Sequence, residues 1–216
     1  MSEFNPERWA QLWRKAAKAV PPAEYFEQLT AMYAEPQRHY HNQNHIVDCL
    51  AEFDRVKSLA ADPVAVELAI WFHDAVYDTH AGDNEERSAE LAKQWLKQSG
   101  AAADVAEATG RLVLATKSHD GSLHADAPLL VDVDLCILGR PPARFWEYER
   151  QIREEYGWVD AAVFATKRAE ILERFLARKR IYQTDVFYKQ LEGQARENLK
   201  ASIERLRSGQ KGRGIS

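Results

Sequence analysis

Three short stretches hold the residues from which chemistry could be built: RHYHNQNHI at 38–46, FHDAVYD at 72–78 and LLVDVDLCILG at 129–139. The first contains three of the chain's seven histidines. If that stretch is helical, His41 and His45 lie one turn apart and could clasp a metal ion, as in the His-Glu-x-x-His pattern of zinc peptidases. Asn42 stands where that pattern needs its general-base glutamate, which argues against peptidase or amidase chemistry. Two imidazoles are also too few to hold an ion well, so further ligands must come from elsewhere. The second stretch supplies candidates. Val66, Ile70 and His73 recur at helical spacing, so His73 faces inward, and Asp74 beside it is costly to bury unless paired or bound to a cation. In the third, Asp132 and Asp134 interrupt an apolar run; a helix N-cap explains one of these carboxylates but not both. A satisfied core histidine at 73 and a helix-end aspartate at 74 are the bland readings of the second stretch.

The elements that would position these residues read as helices throughout. Glycine is scarce, at 10 residues, and Ala, Leu, Glu, Lys, Arg and Gln dominate. Apolar periodicity and Pro/Gly punctuation predict helices over about 6–19, 22–33, 43–60, 64–76, 84–98, 102–117, 127–138, 142–156, 160–180 and 184–207, the last broken near Gly193. The expected fold is all-α, a single-domain helical bundle over 1–207. Helices within 1–35 pack on a core at 36–140, 141–207 supplies the C-terminal helices, and the glycine-rich end at 208–216 is disordered.

Composition excludes several classes. A formal charge of -4 with 29% charged residues is not the profile of a dedicated nucleic-acid binder. No apolar run reaches the ~18 residues of a membrane span, and the N-terminus lacks the apolar core of a secretory signal. The two cysteines, Cys49 and Cys136, fall in apolar segments as small hydrophobes with no disulfide framework, so a cytoplasmic protein is expected. The six tryptophans and eight tyrosines suit a core or a homodimer interface equally.

The segments EPQRHYHNQNHI, AIWFHDAVYD, NEERSAELA, DVDLCILG, IREEY and FLARKRIYQT, in this order and spacing, resemble the HD superfamily of metal-dependent phosphohydrolases. The resemblance is closest to a branch of HD-type phosphohydrolases of roughly this length, and it covers most of the chain. It implies that His45, His73, Asp74 and one of the 132/134 pair hold one divalent metal, with Asp134 favoured and Asp132 as the alternative. A mixed nitrogen and oxygen set suits Mn, Fe, Co, Ni or Zn, with Mg also open. Where two-metal members carry His-Glu, this chain has Asn84-Glu85, which favours a mononuclear site.

The implied activity is hydrolysis of a phosphate ester or anhydride of a small phosphorylated metabolite, a nucleotide above all, by metal-activated water. Asp78 and Glu85 are candidates to orient that water or manage protons, against readings as a cap and as a first-turn glutamate favoured by the helix dipole. Arg38 is the candidate phosphate grip, against a surface salt bridge, and His41 is a neighbour, proton donor or supporting group. His39 reads as a surface residue. His119, Arg153 and Arg168 match positions that related branches use, against helix-end or helix-surface readings. A non-catalytic helical module that senses a nucleotide is the competing expectation.

Overall fold

The computed structural model describes residues 4–17, 19–119 and 121–211, and these form helices and connecting turns without a strand. The protein is all-α, as expected. In chain order the helices are α1 (Pro6–Ala17), α2 (Ala23–Tyr33), α3 (Gln43–Val56), α4 (Pro63–Phe72), α5 (Asn84–Gln98), α6 (Ala103–Ser118), α7 (Ala127–Asp134), α8 (Pro142–Glu155), α9 (Ala161–Leu176) and α10 (Asp185–Lys211). Short 3-10 helices follow α3, at Lys57–Leu59, and α7, at Leu135–Gly139. Two compact units result, Met1–Asp134 and Leu135–Ser216.

In the first unit α4 is central because its sequence, PVAVELAIWF, is apolar on nearly every side. All residues from Ala65 to Phe72 are buried, and α1, α3, α5, α6 and α7 pack around them. Truncating Phe72, which has no exposed surface, would cost roughly 3–5 kcal/mol. Asp62 caps the start of α4 by accepting from the amides of Val64 (3.1 Å) and Ala65 (3.0 Å). The carboxylate of Asp126, which immediately precedes α7, accepts from the amides of Ala61 and Asp62, both at 2.8 Å. The beginnings of α4 and α7 are thus tied together, which fixes the relative register of two helices that end at His73-Asp74 and Asp134. On the opposite side, Arg8 of α1 grips Asp54 of α3 through two contacts of 2.7 Å and Glu67 of α4 at 2.8 Å.

The second unit is built from the 3-10 helix Leu135–Gly139 and α8 to α10. A Cβ at Gly139 would lie 2.6 Å from the Cβ of Leu191, so only glycine permits α10 this close. Arg168 and Glu149 form a buried pair at 2.5 Å, extended by the Tyr148 hydroxyl at 2.7 Å and by Ser202, which donates to Glu149 at 2.7 Å.

Several expected boundaries move. α4 stops at Phe72 rather than 76, because the carbonyls past that point are taken by side chains described below. The segment expected as helix to 138 becomes 3-10 after Asp134, and α9 ends at Leu176 rather than 180. α10 runs uninterrupted through Gly193, so the expected break is absent. The glycine's cost of ~1 kcal/mol is met by flanking side chains: Glu192 accepts from Arg196 at 2.7 Å, and Asn198 donates to the carbonyls of Leu138 and Arg140, both at 2.8 Å. The same helix includes residues 208–211 of the stretch expected to be disordered; 212–216 lie outside the described residues.

Candidate metal centre

His45 sits on the first turn of α3, whose N-cap is Asn42: its side chain accepts from the Asn44 amide at 2.9 Å. The residue that excludes the zinc-peptidase pattern is therefore the one that starts the helix. His41 lies before that start, in a turn, so the conditional reading of His41 and His45 as a one-turn helical clasp does not apply. Its ring is 5.9 Å from that of His45 and 4.4 Å from that of Tyr77.

His73 and Asp74 form the sharp end of α4, and the orphan carbonyls there all find donors. The Tyr33 hydroxyl donates to Trp71 O at 3.0 Å, and His73 Nδ1 donates to Ile70 O at 2.9 Å. Arg38 donates to Asp74 O at 2.6 Å and Ala75 O at 2.8 Å, while reaching His41 O at 3.2 Å and Glu35 at 2.9 Å. Its guanidinium lies between the Tyr33 and Tyr77 rings, 5.2 and 5.4 Å from their centroids. Arg38 is buried, with 5% exposure. Its Nε, Nη1 and Nη2 groups all bond to these partners and so fix the His-Asp turn against the segment that leads into α3. From the other side, Ser88 of α5 accepts from the Val76 amide at 3.0 Å.

The consequence is convergence. The Nε2 atoms of His45 and His73 are 3.0 Å apart. Asp134 Oδ1 is 3.2 Å from His45 Nε2 and 3.6 Å from His73 Nε2. Asp74 Oδ2 is 3.2 Å from His73 Nε2 and 3.5 Å from His45 Nε2. A cation ~2.0–2.2 Å from each donor makes polyhedron edges of ~3.0 Å in octahedral and ~3.4 Å in tetrahedral geometry, which is the range seen here. His73 spends its Nδ1 proton on a carbonyl, which leaves the Nε2 lone pair facing the cluster. Two imidazole lone pairs aimed at each other across 3.0 Å repel unless a proton or a cation lies between them. The donor set therefore fits a metal ion.

Cys49, one turn beyond His45, belongs to the same cluster: ligand atoms of His45, Cys49, His73 and Asp134 all lie within 4.8 Å of one another, and this group could hold a metal ion. Its sulfur is 3.7 Å from Nδ1 and 3.8 Å from Nε2 of His45. Being nearly equidistant from both ring nitrogens, it lies beside the imidazole and not along the Nε2 lone pair. Asp74 Oδ2 lies within 3.5 Å of both Nε2 atoms, and Cys49 is a soft member of the cluster that the sequence presented only as a small hydrophobe.

Charge follows the geometry. Burial pushes against protonation of His73, but Asp74 and Asp134 overcome it and hold the imidazole well above the ordinary histidine range. Burial likewise opposes ionisation of Asp74, and His73, His41 and His45 outweigh it, keeping the carboxylate well below its usual range. Asp134 is held down against burial by His119, His45 and His73. The histidine side chains are 3% and 2% exposed, against 18% and 16% for Asp74 and Asp134, so the cluster opens to solvent on its carboxylate side.

Of the 132/134 pair, Asp134 reaches the histidines, and Asp132 is wholly buried within α7. His119 joins the cluster with Nε2 3.5 Å from Asp134 Oδ2. It caps α6 with a left-handed backbone, φ 52°, costly for a residue with a Cβ. Asp78 lies in an exposed turn, where it accepts from the His80 amide at 2.9 Å, and Asn84 braces that turn by donating to Asp78 O at 2.9 Å. Glu85 is half-buried on the first turn of α5. His39 is exposed, as expected. Arg153 and Arg168 lie in the second unit, where Arg153 donates to the carbonyls of Tyr156 (2.7 Å) and Val159 (3.0 Å) and Arg168 holds Glu149.

Asp126 and the anchoring role of Arg38 escaped the sequence. Asp126 precedes Ala127-Pro128 in the manner of a cap, but its partners lie more than sixty residues upstream. No helix among the described residues is long and apolar enough to cross a membrane. No family model, curated protein or solved structure matches the chain.

Proposed function

We propose that the protein is a metal-dependent phosphohydrolase of the HD type that cleaves a phosphate ester or anhydride of a small phosphorylated metabolite, with nucleotides the first class to test. The observation that carries this reading is the meeting of two imidazole nitrogens 3.0 Å apart with two carboxylates, each 3.2–3.6 Å from both of them, at one buried point with a solvent-facing side. With the imidazoles neutral, the set carries two negative charges, the complement of a divalent ion. When bound, such an ion lowers the pKa of a coordinated water toward neutrality and offsets phosphoryl charge.

The chain's own residues divide the remaining work. His45, His73, Asp74 and Asp134 hold the ion, and Arg38 and Asp126 fix the helix ends that carry them. His41, near enough to Asp74 to help hold its carboxylate ionised, is placed to give a proton to the leaving oxygen. His119 steadies Asp134. Of the two carboxylates considered for water orientation, Asp78 is engaged in its own turn, which leaves Glu85. The nitrogen and oxygen donors suit Mn, Fe, Co, Ni or Zn, and the sulfur of Cys49 favours the softer of these over Mg.

The test strips the protein with chelator and follows phosphate release from nucleoside mono-, di- and triphosphates with Mn, Fe, Co, Ni, Zn or Mg restored singly. Turnover returning with at least one metal, and lost in His73→Ala and Asp74→Ala, supports the reading. It fails if no metal restores turnover and both variants bind metal as the parent does. Stabilisation by a nucleotide without turnover would point instead to a sensor module.

A further inference from the structure

The second unit contains a cavity of about 590 Å³ between α8, the start of α9 and the end of α10, a size typical of small-ligand clefts (~300–1,000 Å³). It exists because α9 opens with small residues: Ala161, Ala162 and Ala165 line it where larger side chains would fill it. The facing walls are aromatic and cationic. Trp146 and Phe164 contribute ring faces, and Arg150, Arg153 and Arg205 contribute guanidinium groups.

The carboxylates at this cavity are already neutralised. Glu149 pairs with buried Arg168 at 2.5 Å and accepts from Ser202, and Glu154 pairs with Arg150 at 2.7 Å. Two cations are left without a carboxylate partner among the described residues. Arg153 is held rigidly by two carbonyls, at 2.7 and 3.0 Å, with its guanidinium 4.7 Å from the Phe164 centroid. Arg205 lies over Trp146 at 5.3 Å, and no hydrogen-bond acceptor for its guanidinium occurs among the described residues. A guanidinium stacked on an aromatic face is oriented in advance, and its unspent donors form a planar fork suited to an oxyanion. The alanines, Phe164 and Leu206 provide an apolar floor.

We propose that this cavity binds a small organic anion: an aromatic body seated on the alanine floor, with a phosphate or carboxylate head on Arg205 and Arg153. The site is separate from the metal centre in its residues and does not rest on the phosphohydrolase reading.

1-Naphthyl phosphate, 1-naphthoate and 1-naphthol are titrated calorimetrically into the full chain after chelator treatment, and into His73→Ala. One saturable site is expected for an anionic probe in both proteins, with 1-naphthol at least about tenfold weaker, as the loss of charge-assisted hydrogen bonds requires. The tighter of the two anions identifies the head group. Arg205→Gln, at an exposed position, weakens that anion by at least about tenfold, and Ala162→Trp, also exposed, abolishes binding by filling the cavity. Equal binding of 1-naphthol, unchanged affinity in Arg205→Gln, or unchanged affinity in Ala162→Trp each overturns the proposal. Binding lost in His73→Ala but kept in Arg205→Gln places the anion at the metal centre, which sinks this proposal and leaves the phosphohydrolase reading standing. Absence of turnover with metal, alongside intact naphthyl phosphate binding, does the reverse.

Discussion

Two of the molecule's buried charge clusters are built differently. In the second unit, Arg168 and Glu149 meet at 2.5 Å with side chains each 10% exposed, and Tyr148 and Ser202 take up remaining hydrogen-bonding capacity. Cation and anion cancel. Against the cost of burial, Tyr148 and Glu149 hold the guanidinium firmly in its charged form. In the first unit, Asp74 and Asp134 converge on two imidazoles with no arginine or lysine among their ion-pair partners in the described residues. A balanced buried pair is complete as folded and contributes to structure. An unbalanced cluster persists only if protons or a metal ion supply the missing positive charge. That asymmetry is what separates a structural network from a candidate site here.

The sharpest way to break the comparison is to take one charge from each place. Asp134→Asn should reduce metal affinity by more than the ~10–100-fold typical of losing a supporting group, with turnover falling to background; competition against a chromophoric chelator measures it. A variant that binds metal as the parent does would show that the cluster is not a metal shell. Arg168→Leu strands Glu149 and should cost about 3–5 kcal/mol in urea denaturation. Metal stoichiometry in the folded fraction should stay at the parental value. The double change Arg168→Met with Glu149→Leu should recover most of that loss, because removing both charges removes the imbalance.

A smaller effect is expected from Arg38→Met, which leaves the carbonyls of Asp74 and Ala75 uncapped without touching a ligand. Metal affinity should fall ~10–100-fold, chiefly through a looser His-Asp turn. Under the phosphohydrolase proposal, a variant that instead raises KM at unchanged metal affinity would support the phosphate-grip role of Arg38.

The smallest effect concerns pH. Without metal, the raised pKa of His73 stabilises the fold fully below ~6.5, and this contribution is lost as pH climbs through the folded-state value. The depressed carboxylates of Asp74 and Asp134 act in the opposite sense: their contribution is present above ~3.9 and is lost as pH falls through their folded-state values. The metal-free cluster therefore helps most between about pH 4 and 6.5. Metal binding must displace the proton on His73, so the stabilisation gained on adding metal should grow with pH up to the folded-state value, by up to ~1.4 kcal/mol per pH unit, and the rise in Tm should grow with it. A Tm gain that is flat from pH 6 to 8.5 would mean that His73 is already neutral in the metal-free protein, and would weaken the picture of an unbalanced cluster.

The helices were legible because amphipathic periodicity and Pro/Gly punctuation are local signals. Their ends were less so where a side chain far away in sequence decided them. α4 ends at Phe72, where Tyr33 takes the carbonyl of Trp71 in its last turn and Arg38 and Ser88 take polar groups of the turn that follows. Gly193 looked like a break because the side-chain bonds that flank it reach far in sequence: Glu192 accepts from the Ile181 and Tyr182 amides and from Arg196, and Arg196 and Asn198 donate to the carbonyls of Leu176 and Leu138.

Sequence alone determined which residues were chemically costly to bury: a histidine and an aspartate closing an apolar helix, and two aspartates within an apolar run. Side-chain polarity and helical spacing suffice for that, because the cost of burial belongs to the residue type. The tertiary structure alone decided that Cys49 joins the histidines and that Arg38 anchors the turn, and it brings Asp134, which the resemblance already favoured, within reach of both imidazoles. Each of these depends on the direction in which a side chain leaves its helix. That direction is set by the register between helices, which Asp126 fixes across more than sixty residues and no local pattern encodes.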